Sequence, residues 1–223
     1  GGGGRHGRSF TGPPRWRSFA GNHGLDRTVN FTSTGRALPG AGVRAHLLPD
    51  CLHRTANEQE TRVDDERMEV SRLIEATPAE VFRVLTDPQG HVAIDSSGML
   101  LDAEGSRVGA EGDTFVVHMD REALNDYPLG RYDVTVTITR FVPDVEIAWT
   151  IVGQIEPQIG HVYGYRLAPT ADGTVVTSYY DWSTIDPVWR QAGIFPVLSE
   201  GALRATLGIL ARVVERGYPR ATP

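Results

Sequence analysis

The chain has 223 residues, of which 40% are hydrophobic, so it is long enough to bury a globular core. Its formal net charge of -6 is uneven, because residues 1–67 hold 10 Arg and 7 acidic residues while residues 68–223 hold 12 Arg and 21 acidic residues. This acidic excess argues against nucleic acid or an anionic membrane surface as partner, since both favour clustered positive charge.

Residues 1–67 show no sustained period of 2.0 or 3.6 and are broken by glycine and proline, so the sequence predicts a disordered N-terminal extension. Met68 is the first methionine, and a hypothesis is that the extension lies upstream of the true translation start. The sequence shows no apolar stretch typical of a secretory signal and no window near the roughly 18 apolar residues of a membrane span. A cytoplasmic protein without stable membrane insertion is therefore expected.

Regular patterning begins at Met68 with an imperfect strand, and a helix signal follows it. Thr77 is a suitable N-cap, Pro78 suits the first helical position, and Glu80 completes a capping box. The Asp-Pro pair at 87–88 ends this helix, and a second helical turn is predicted over residues 91–94. The segment therefore predicts two short helices after the first strand.

An antiparallel run of strands is predicted between Arg131 and Trp182, because hydrophobic and polar residues alternate there and tight turns separate the segments. A strand is also predicted over Asp113 to Asp120. The alternation predicts that Trp149 faces inward, and that His161 shares a face with Tyr163.

A long amphipathic helix is predicted over Val197 to Glu215, with Leu203, Leu207 and Leu210 on one stripe. The inward faces of the strands are the only partner wide enough for that stripe. The predicted class is α+β, with the C-terminal helix packed on an antiparallel sheet and a cavity between them.

The opening EVSRLIEATPAEVFRVLTDPQGHVAID, residues 69–95, and the late strand GTVVTSYYDWS, residues 173–183, resemble the START-like helix-grip superfamily, also called the polyketide cyclase/dehydrase and lipid-transport family (SRPBCC). The resemblance covers residues 68–216 and leaves 217–223 as a C-terminal tail. It implies a curved antiparallel sheet of about six to seven strands wrapped around a long C-terminal helix. It is unspecific for function, since the family includes cyclases, lipid carriers and chaperone co-factors.

The candidate catalytic residues are few, and each has an alternative interpretation. His118 and Asp120 lie two apart on one strand face and are suited to an inward acid and base. Phe115, Val117 and Met119 make an equally good inward set, which would place the polar pair in solvent. His161 is the third candidate.

Aromatic residues on the predicted inward faces are the candidates for ligand contact. Whether Tyr180 and Trp182 or Tyr179 and Asp181 face inward stays open, because the alternation allows both. The predicted ligand-binding residues are Trp149, His161, Tyr163, Tyr165, Tyr180, Trp182, Leu203 and Leu207.

The sequence predicts neither metal nor cofactor. His91, His118 and His161 lack metal-ligand spacing, and no phosphate-binding glycine loop or GxSxG motif is present. The single cysteine, Cys51, excludes an internal disulfide. His91 and Asp95, four residues apart, fit a surface pair.

The favoured function is binding of a small hydrophobic or aromatic molecule, lipid or polyketide-like, in the cavity between sheet and helix. One alternative is a polyketide cyclase or dehydratase that uses an inward His, Tyr or Asp. A second alternative is a chaperone-cofactor-like interaction module. The sequence does not determine the ligand or the oligomeric state.

Overall fold

An antiparallel sheet of eight strands and four helices make up the part of the chain that the computed structural model describes, residues 61–64, 66–122, 124 and 129–218. In chain order the elements are β1 (Thr61–Asp64), β2 (Arg67–Ile74), α1 (Pro78–Leu85), α2 (Pro88–Ile94), β3 (Leu100–Glu104), β4 (Thr114–Asp120), β5 (Arg131–Val142), β6 (Glu146–Val152), β7 (Val162–Thr170), β8 (Gly173–Asp181), α3 (Pro187–Ala192) and α4 (Glu200–Glu215).

The strands lie in the order β1-β2-β8-β7-β6-β5-β4-β3, and every neighbouring pair is antiparallel. Strands β3 to β8 form a meander, and α1 and α2 carry the chain from β2 to the opposite edge at β3. This arrangement confirms the predicted α+β class and its two short helices. The strand count exceeds the predicted six to seven because β1, only four residues long, lies inside the segment assigned to the extension. Residues 1–60 and 219–223 fall outside the described residues.

The first helix begins where the sequence predicts it. Thr77 accepts a hydrogen bond from the Glu80 backbone N–H, and the Glu80 carboxylate accepts one from the Thr77 N–H at 2.8 Å. The second helix begins at Pro88, earlier than the predicted residue 91. The reason is a second cap, because the Asp87 carboxylate accepts the Gln89 backbone N–H at 3.0 Å.

The C-terminal helix α4 begins at Glu200 and not at the predicted Val197, because Ser199 caps it by accepting the Ala202 backbone N–H at 3.1 Å. The helix lies mainly against β2, with further contacts to β8, α1 and α2. Its leucine stripe is buried, as the pattern predicts: Leu203, Leu207 and Leu210. We call the sheet face that meets α4 the inner face.

The burial of β8 answers the question that the sequence left open. Val176, Ser178 and Tyr180 are buried on the inner face, and Trp182 follows on the same side. Tyr179 is also buried, although it lies on the outer face. Its ring is covered by the Arg67 guanidinium, 4.2 Å from the ring centroid.

Gly164 makes room for that outer tyrosine. In the register of β7 and β8 it lies opposite Tyr179, and a Cβ added at Gly164 would stand 2.3 Å from Cζ of the tyrosine ring. The ring cannot move freely because its hydroxyl donates to Glu146 at 3.1 Å. The pair therefore favours this register of the two strands over one shifted by a residue.

We expect Gly164→Ala to lower the free energy of unfolding by about 2 kcal/mol, because the added methyl group overpacks the site beneath Tyr179. Urea denaturation measures the change. Gly201→Ala is the matched control, since its Cβ would meet only Ser199 Oγ at 3.7 Å and alanine favours the helix by about 0.5 kcal/mol. Equal stability of both variants would contradict the assigned packing.

Arg72 is an exception on the otherwise apolar inner face of β2. Its Nε is the one buried side-chain nitrogen or oxygen without a hydrogen-bond partner in the described part of the chain. A Cβ added at Gly208 of α4 would lie 3.9 Å from its Nη1, so the guanidinium lies beside that helix. A buried donor without an acceptor destabilises the folded state.

Arg72→Met is therefore expected to raise the free energy of unfolding by about 1 kcal/mol, because methionine keeps the apolar stem and removes the unpaired donor. Arg67→Met on the same strand is the control. Arg67 forms ion pairs with Glu69 at 2.8 Å and Asp181 at 2.9 Å, so its loss should destabilise. Thermal and urea unfolding of both variants check the opposite signs, and a destabilised Arg72→Met would refute the interpretation.

Candidate functional site

A group of aromatic and apolar side chains lies on the inner face of strands β5, β6 and β7, beside the area covered by α4. We call it the aromatic patch, and it consists of Tyr132, Trp149, Ile151, His161 and Tyr163. Cross-strand register places four of them on the same side, because Met119 faces Tyr132, Val136 faces Ile151, and Trp149 faces Tyr163. The ring of His161, two residues before Tyr163, contacts the rings of Tyr163 and Tyr180 on that side.

Three of the rings form a ladder across neighbouring strands. Trp149, Tyr163 and Tyr180 are directly opposite one another on β6, β7 and β8. The ring centroids of Trp149 and Tyr163 are 6.1 Å apart at 17°, and those of Tyr163 and Tyr180 are 4.9 Å apart. Such cross-strand aromatic pairs stabilise a sheet and hold each ring in a fixed orientation.

Helix α4 leaves this part of the inner face uncovered, because its sheet contacts are with β2 and β8. Tyr132, Ile151 and Tyr163 are accordingly only partly buried, although their alternation points them inward. On β5, for comparison, Val134 is the inward residue next to Tyr132, and it is only 7% exposed. The aromatic patch is thus inward-facing apolar surface that the chain itself does not fully cover.

His161 directly precedes β7, and hydrogen bonds and ring contacts with neighbouring residues fix its position. Its carbonyl accepts the Thr150 hydroxyl at 2.8 Å, and its Nδ1 lies 2.9 Å from the Tyr180 hydroxyl oxygen. Its ring packs edge-on against Tyr163, at 4.9 Å, and against Phe195, at 6.0 Å. Burial lowers the pKa of His161 to about 4, so the imidazole is neutral at neutral pH.

The tyrosine side chains of this region are also kept neutral. Burial raises the pKa of Tyr163 and that of Tyr180 well above the ordinary value, and raises the pKa of Tyr165 to about 12. A tyrosine with a raised pKa keeps its proton and acts as a hydrogen-bond donor. The region therefore presents neutral donors rather than charges.

The predicted acid and base pair is not on the inner face. Phe115, Val117 and Met119 are the buried residues of β4, so His118 and Asp120 point outward, as the alternative interpretation of this strand requires. His118 Nδ1 lies 2.7 Å from Asp133, and this hydrogen bond raises the pKa of the imidazole. Asp120 instead pairs with Arg131 at 3.0 Å. Of the two interpretations that the sequence left open for this strand, the structure has the one in which the apolar set packs in the core.

The space predicted beneath α4 is filled where the sequence placed it. Leu207 and Tyr180 are 0% exposed, so no water-sized space adjoins them. Leu203 and Trp182 are buried as well. Leu207 and Tyr180, two of the predicted ligand contacts, therefore belong to the core. Among the predicted contacts, Tyr163 is partly exposed, and the buried rings of Trp149 and His161 pack against it. Tyr165 is buried next to Trp149, at a centroid distance of 5.9 Å.

An open depression of about 420 Å³ lies near the connection of β4 and β5. It is lined by Met119 and Tyr132, which point inward, and by His118 and Asp133, which point outward. The depression therefore borders the aromatic patch at Tyr132 but does not coincide with it. Its remaining lining residues are Leu101, Arg131 and Gln154.

His91 is a buried residue that the sequence placed on the surface. Its Nε2–H donates to the Leu85 carbonyl at 2.9 Å, and its ring packs edge-on against Trp149 at 4.7 Å. Asp95 makes no bond to it and instead accepts the Ser97 and Leu100 backbone N–H groups. The sequence did not indicate that His91 is buried, because helix α2 begins earlier than predicted and turns this residue toward the sheet.

Among the described residues, no three His, Cys, Asp or Glu side chains come together in a way that would hold a metal ion. None of the four helices in the described ranges combines the length and the apolar character that crossing a membrane requires.

Comparison with known proteins gives a family match over most of the described residues. The profile of the family described as polyketide cyclase / dehydrase and lipid transport matches residues 65–215. No curated protein matches the chain.

Solved structures of similar fold come from several bacteria. A Nitrosomonas europaea protein shares 17% identity, with a TM-score of 0.50 over 69% of this chain and 97% of that one. A Mycobacterium smegmatis protein shares 10% identity, with a TM-score of 0.49 over 70% and 96%. The Aha1 dimer from Colwellia psychrerythraea shares 17% identity, with a TM-score of 0.46 over 68% and 98%. At these identities the likeness concerns the fold alone.

The two buried histidines should make stability depend on pH. Burial lowers the pKa of both His91 and His161 to about 4, from 6.5 in the unfolded chain. The unfolded state takes up the proton first, so the stability that the neutral rings retain above pH 6.5 is lost as pH falls toward 4. For His91→Gln we expect a smaller fall in the free energy of unfolding between pH 7 and 4.5, by up to about 3 kcal/mol.

Urea titrations at pH 7, 6, 5 and 4.5 measure this effect, with His118→Gln as the control. Because the pKa of His118 is raised, its stabilising contribution is present at low pH and is lost as pH rises through the folded value. His118→Gln should therefore make the fall at acid pH steeper, whereas His91→Gln makes it shallower. Identical pH profiles of wild type and His91→Gln would contradict the burial assigned to His91.

Proposed function

Because the chain belongs to the polyketide cyclase / dehydrase and lipid transport family, we propose that it binds a small, largely apolar molecule on the aromatic patch. The observation that supports this proposal is the incomplete burial of Tyr132, Ile151 and Tyr163 on the inner face of the sheet. Covering apolar surface with a ligand contributes about 25 cal/mol per Å². The site therefore lies beside α4, over β5 to β7, and not beneath the leucines of that helix.

Flat rings suit this site better than flexible chains. The Trp149 and Tyr163 rings are nearly parallel, 17° apart, and Tyr163 is the partly exposed member of the pair. A planar aromatic or polyketide-like ligand can extend this stack and loses little conformational entropy on binding. Acyl lipids are the second ligand class that the same apolar surface accommodates.

The cyclase or dehydratase alternative has less support. It needs an acid and a base together on the patch, and His118 and Asp120 lie on the outer face. In the described part of the chain, no carboxylate forms a hydrogen bond with His161, Tyr163 or Tyr132. We therefore favour binding over acid-base chemistry.

The interaction-module alternative rests on exposed apolar residues near α3. Val188, Ile194 and Val197 are 41%, 49% and 45% exposed, and Ile194 and Val197 lie close in sequence to Phe195, whose ring contacts His161. We assign these residues to the rim of the ligand site. Absence of nucleic-acid partners and a cytoplasmic location remain predictions from the sequence.

The test uses N-phenyl-1-naphthylamine, an uncharged probe whose fluorescence rises in an apolar site. We expect saturable binding to the full chain and about tenfold weaker binding by Ile151→Gln, because a polar amide then replaces apolar surface on the patch, a loss of about 1.4 kcal/mol. Val152→Gln is the matched control, since Val152 is the next residue of β6 and lies on the outer face.

Val152→Gln should bind the probe as wild type does, and urea denaturation should show that both variants are folded. No saturable binding by wild type, or equal effects of the two substitutions, would refute the proposal. Native mass spectrometry of the protein purified from its own organism then identifies any co-purifying molecule.

A further inference from the structure

We propose that the ligand presents an uncharged acceptor oxygen, such as a ketone carbonyl, to the Nε2–H of His161. The inference rests on the proposed binding function and names the chemical class that the aromatic patch selects. It assigns His161 the role of a neutral hydrogen-bond donor, which differs from that of a catalytic base.

The Tyr180 hydroxyl determines which ring nitrogen of His161 carries the proton. Tyr180 is fully buried, and the acceptor within reach of its O–H is Nδ1 of His161, at 2.9 Å. If Nδ1 carried the proton, it would donate to the hydroxyl oxygen, and the proton of the buried hydroxyl would have no acceptor among the described residues. Nδ1 is therefore the acceptor, and Nε2 carries the hydrogen.

The Nε2–H of His161 has no partner among the described residues. It is not a fully buried orphan either, because Arg72 Nε is the one such atom in the described ranges. The donor therefore adjoins space that solvent or a ligand can occupy. A neutral imidazole donor next to aromatic rings suits an oxygen acceptor on an otherwise apolar molecule.

Neighbouring groups on the patch extend the same preference. The Tyr163 hydroxyl and the Trp149 indole N–H likewise form no hydrogen bond with another described residue, and neither is a fully buried orphan, because Arg72 Nε is the one such atom in the described ranges. Indole N–H is a donor only, and tyrosine donates readily. A ligand with more than one carbonyl or ether oxygen would satisfy several of these donors together.

Charge does not select the ligand here. Burial lowers the pKa of His161 to about 4, so the ring carries no charge at neutral pH. No arginine in the described residues forms a hydrogen bond or a cation-π contact with the patch. A carboxylate buried against these rings would lack a counter-charge, which is unfavourable.

Three matched probes test the inference on the full chain by isothermal titration. These are 2-acetylnaphthalene, the isosteric alkene 2-isopropenylnaphthalene, and the anion 2-naphthoate. We expect the ketone to bind about tenfold more tightly than the alkene and more tightly than the anion. His161→Phe should bind ketone and alkene equally, and His161→Gln, which keeps a donor, should recover part of the preference.

The outcomes separate this inference from the proposed function. Failure of all three probes to bind would refute the binding proposal itself. Binding of ketone and alkene with equal affinity by wild type would refute only the acceptor inference, and tighter binding of 2-naphthoate would refute the uncharged class. A ketone preference that persists in His161→Phe would show that the hydrogen-bond donor is a residue other than His161.

A second measurement needs no variant and covers the case in which His161→Phe fails to fold. Nitrogen-15 NMR of the imidazole reports the tautomer directly. We expect the His161 signals of the Nε2–H tautomer in the free protein and a shift of Nε2 on addition of 2-acetylnaphthalene. A proton on Nδ1, or an unchanged Nε2 signal at saturating ketone, would overturn the assignment.

Discussion

The register of strands β6, β7 and β8 is the constraint on which the rest of the site depends. On the inner face it places Trp149, Tyr163 and Tyr180 side by side, and on the outer face it places Gly164 opposite Tyr179. A shift by one residue would move the aromatic ladder to the outer face and drive a side chain into the Tyr179 ring. Both faces thus stabilise the same pairing.

The position of α4 decides which part of the inner face remains available. The helix lies against β2 and β8, and its leucines fill the space beneath it. Of the inward side chains of β5 to β7 beyond this contact, Tyr132, Ile151 and Tyr163 keep partial exposure. The inner face therefore combines a filled core beneath α4 with partly uncovered aromatic surface beside it.

His161 links the core to that surface. Its Nδ1 contacts the buried Tyr180 hydroxyl, while its ring edge meets Tyr163 on the patch. Because one nitrogen is used within the core, the other is left with a defined protonation state. A single buried hydroxyl thus converts a residue that titrates in water into a fixed donor, and the same burial keeps the ring uncharged.

The sequence by itself determined the α+β class, the capping box of Thr77 and Glu80, and the inward face of β5, because these follow from local periodicity and side-chain chemistry. It left open which face of β4 and β8 meets the core. Alternation separates the two faces of a strand but does not show which of them packs in the core. Only packing against the remaining structure decided that His118 points outward and Tyr180 inward. The burial of His91 and the filling of the space beneath the leucines of α4 were likewise decided by tertiary structure, since both depend on where a helix lies relative to distant strands.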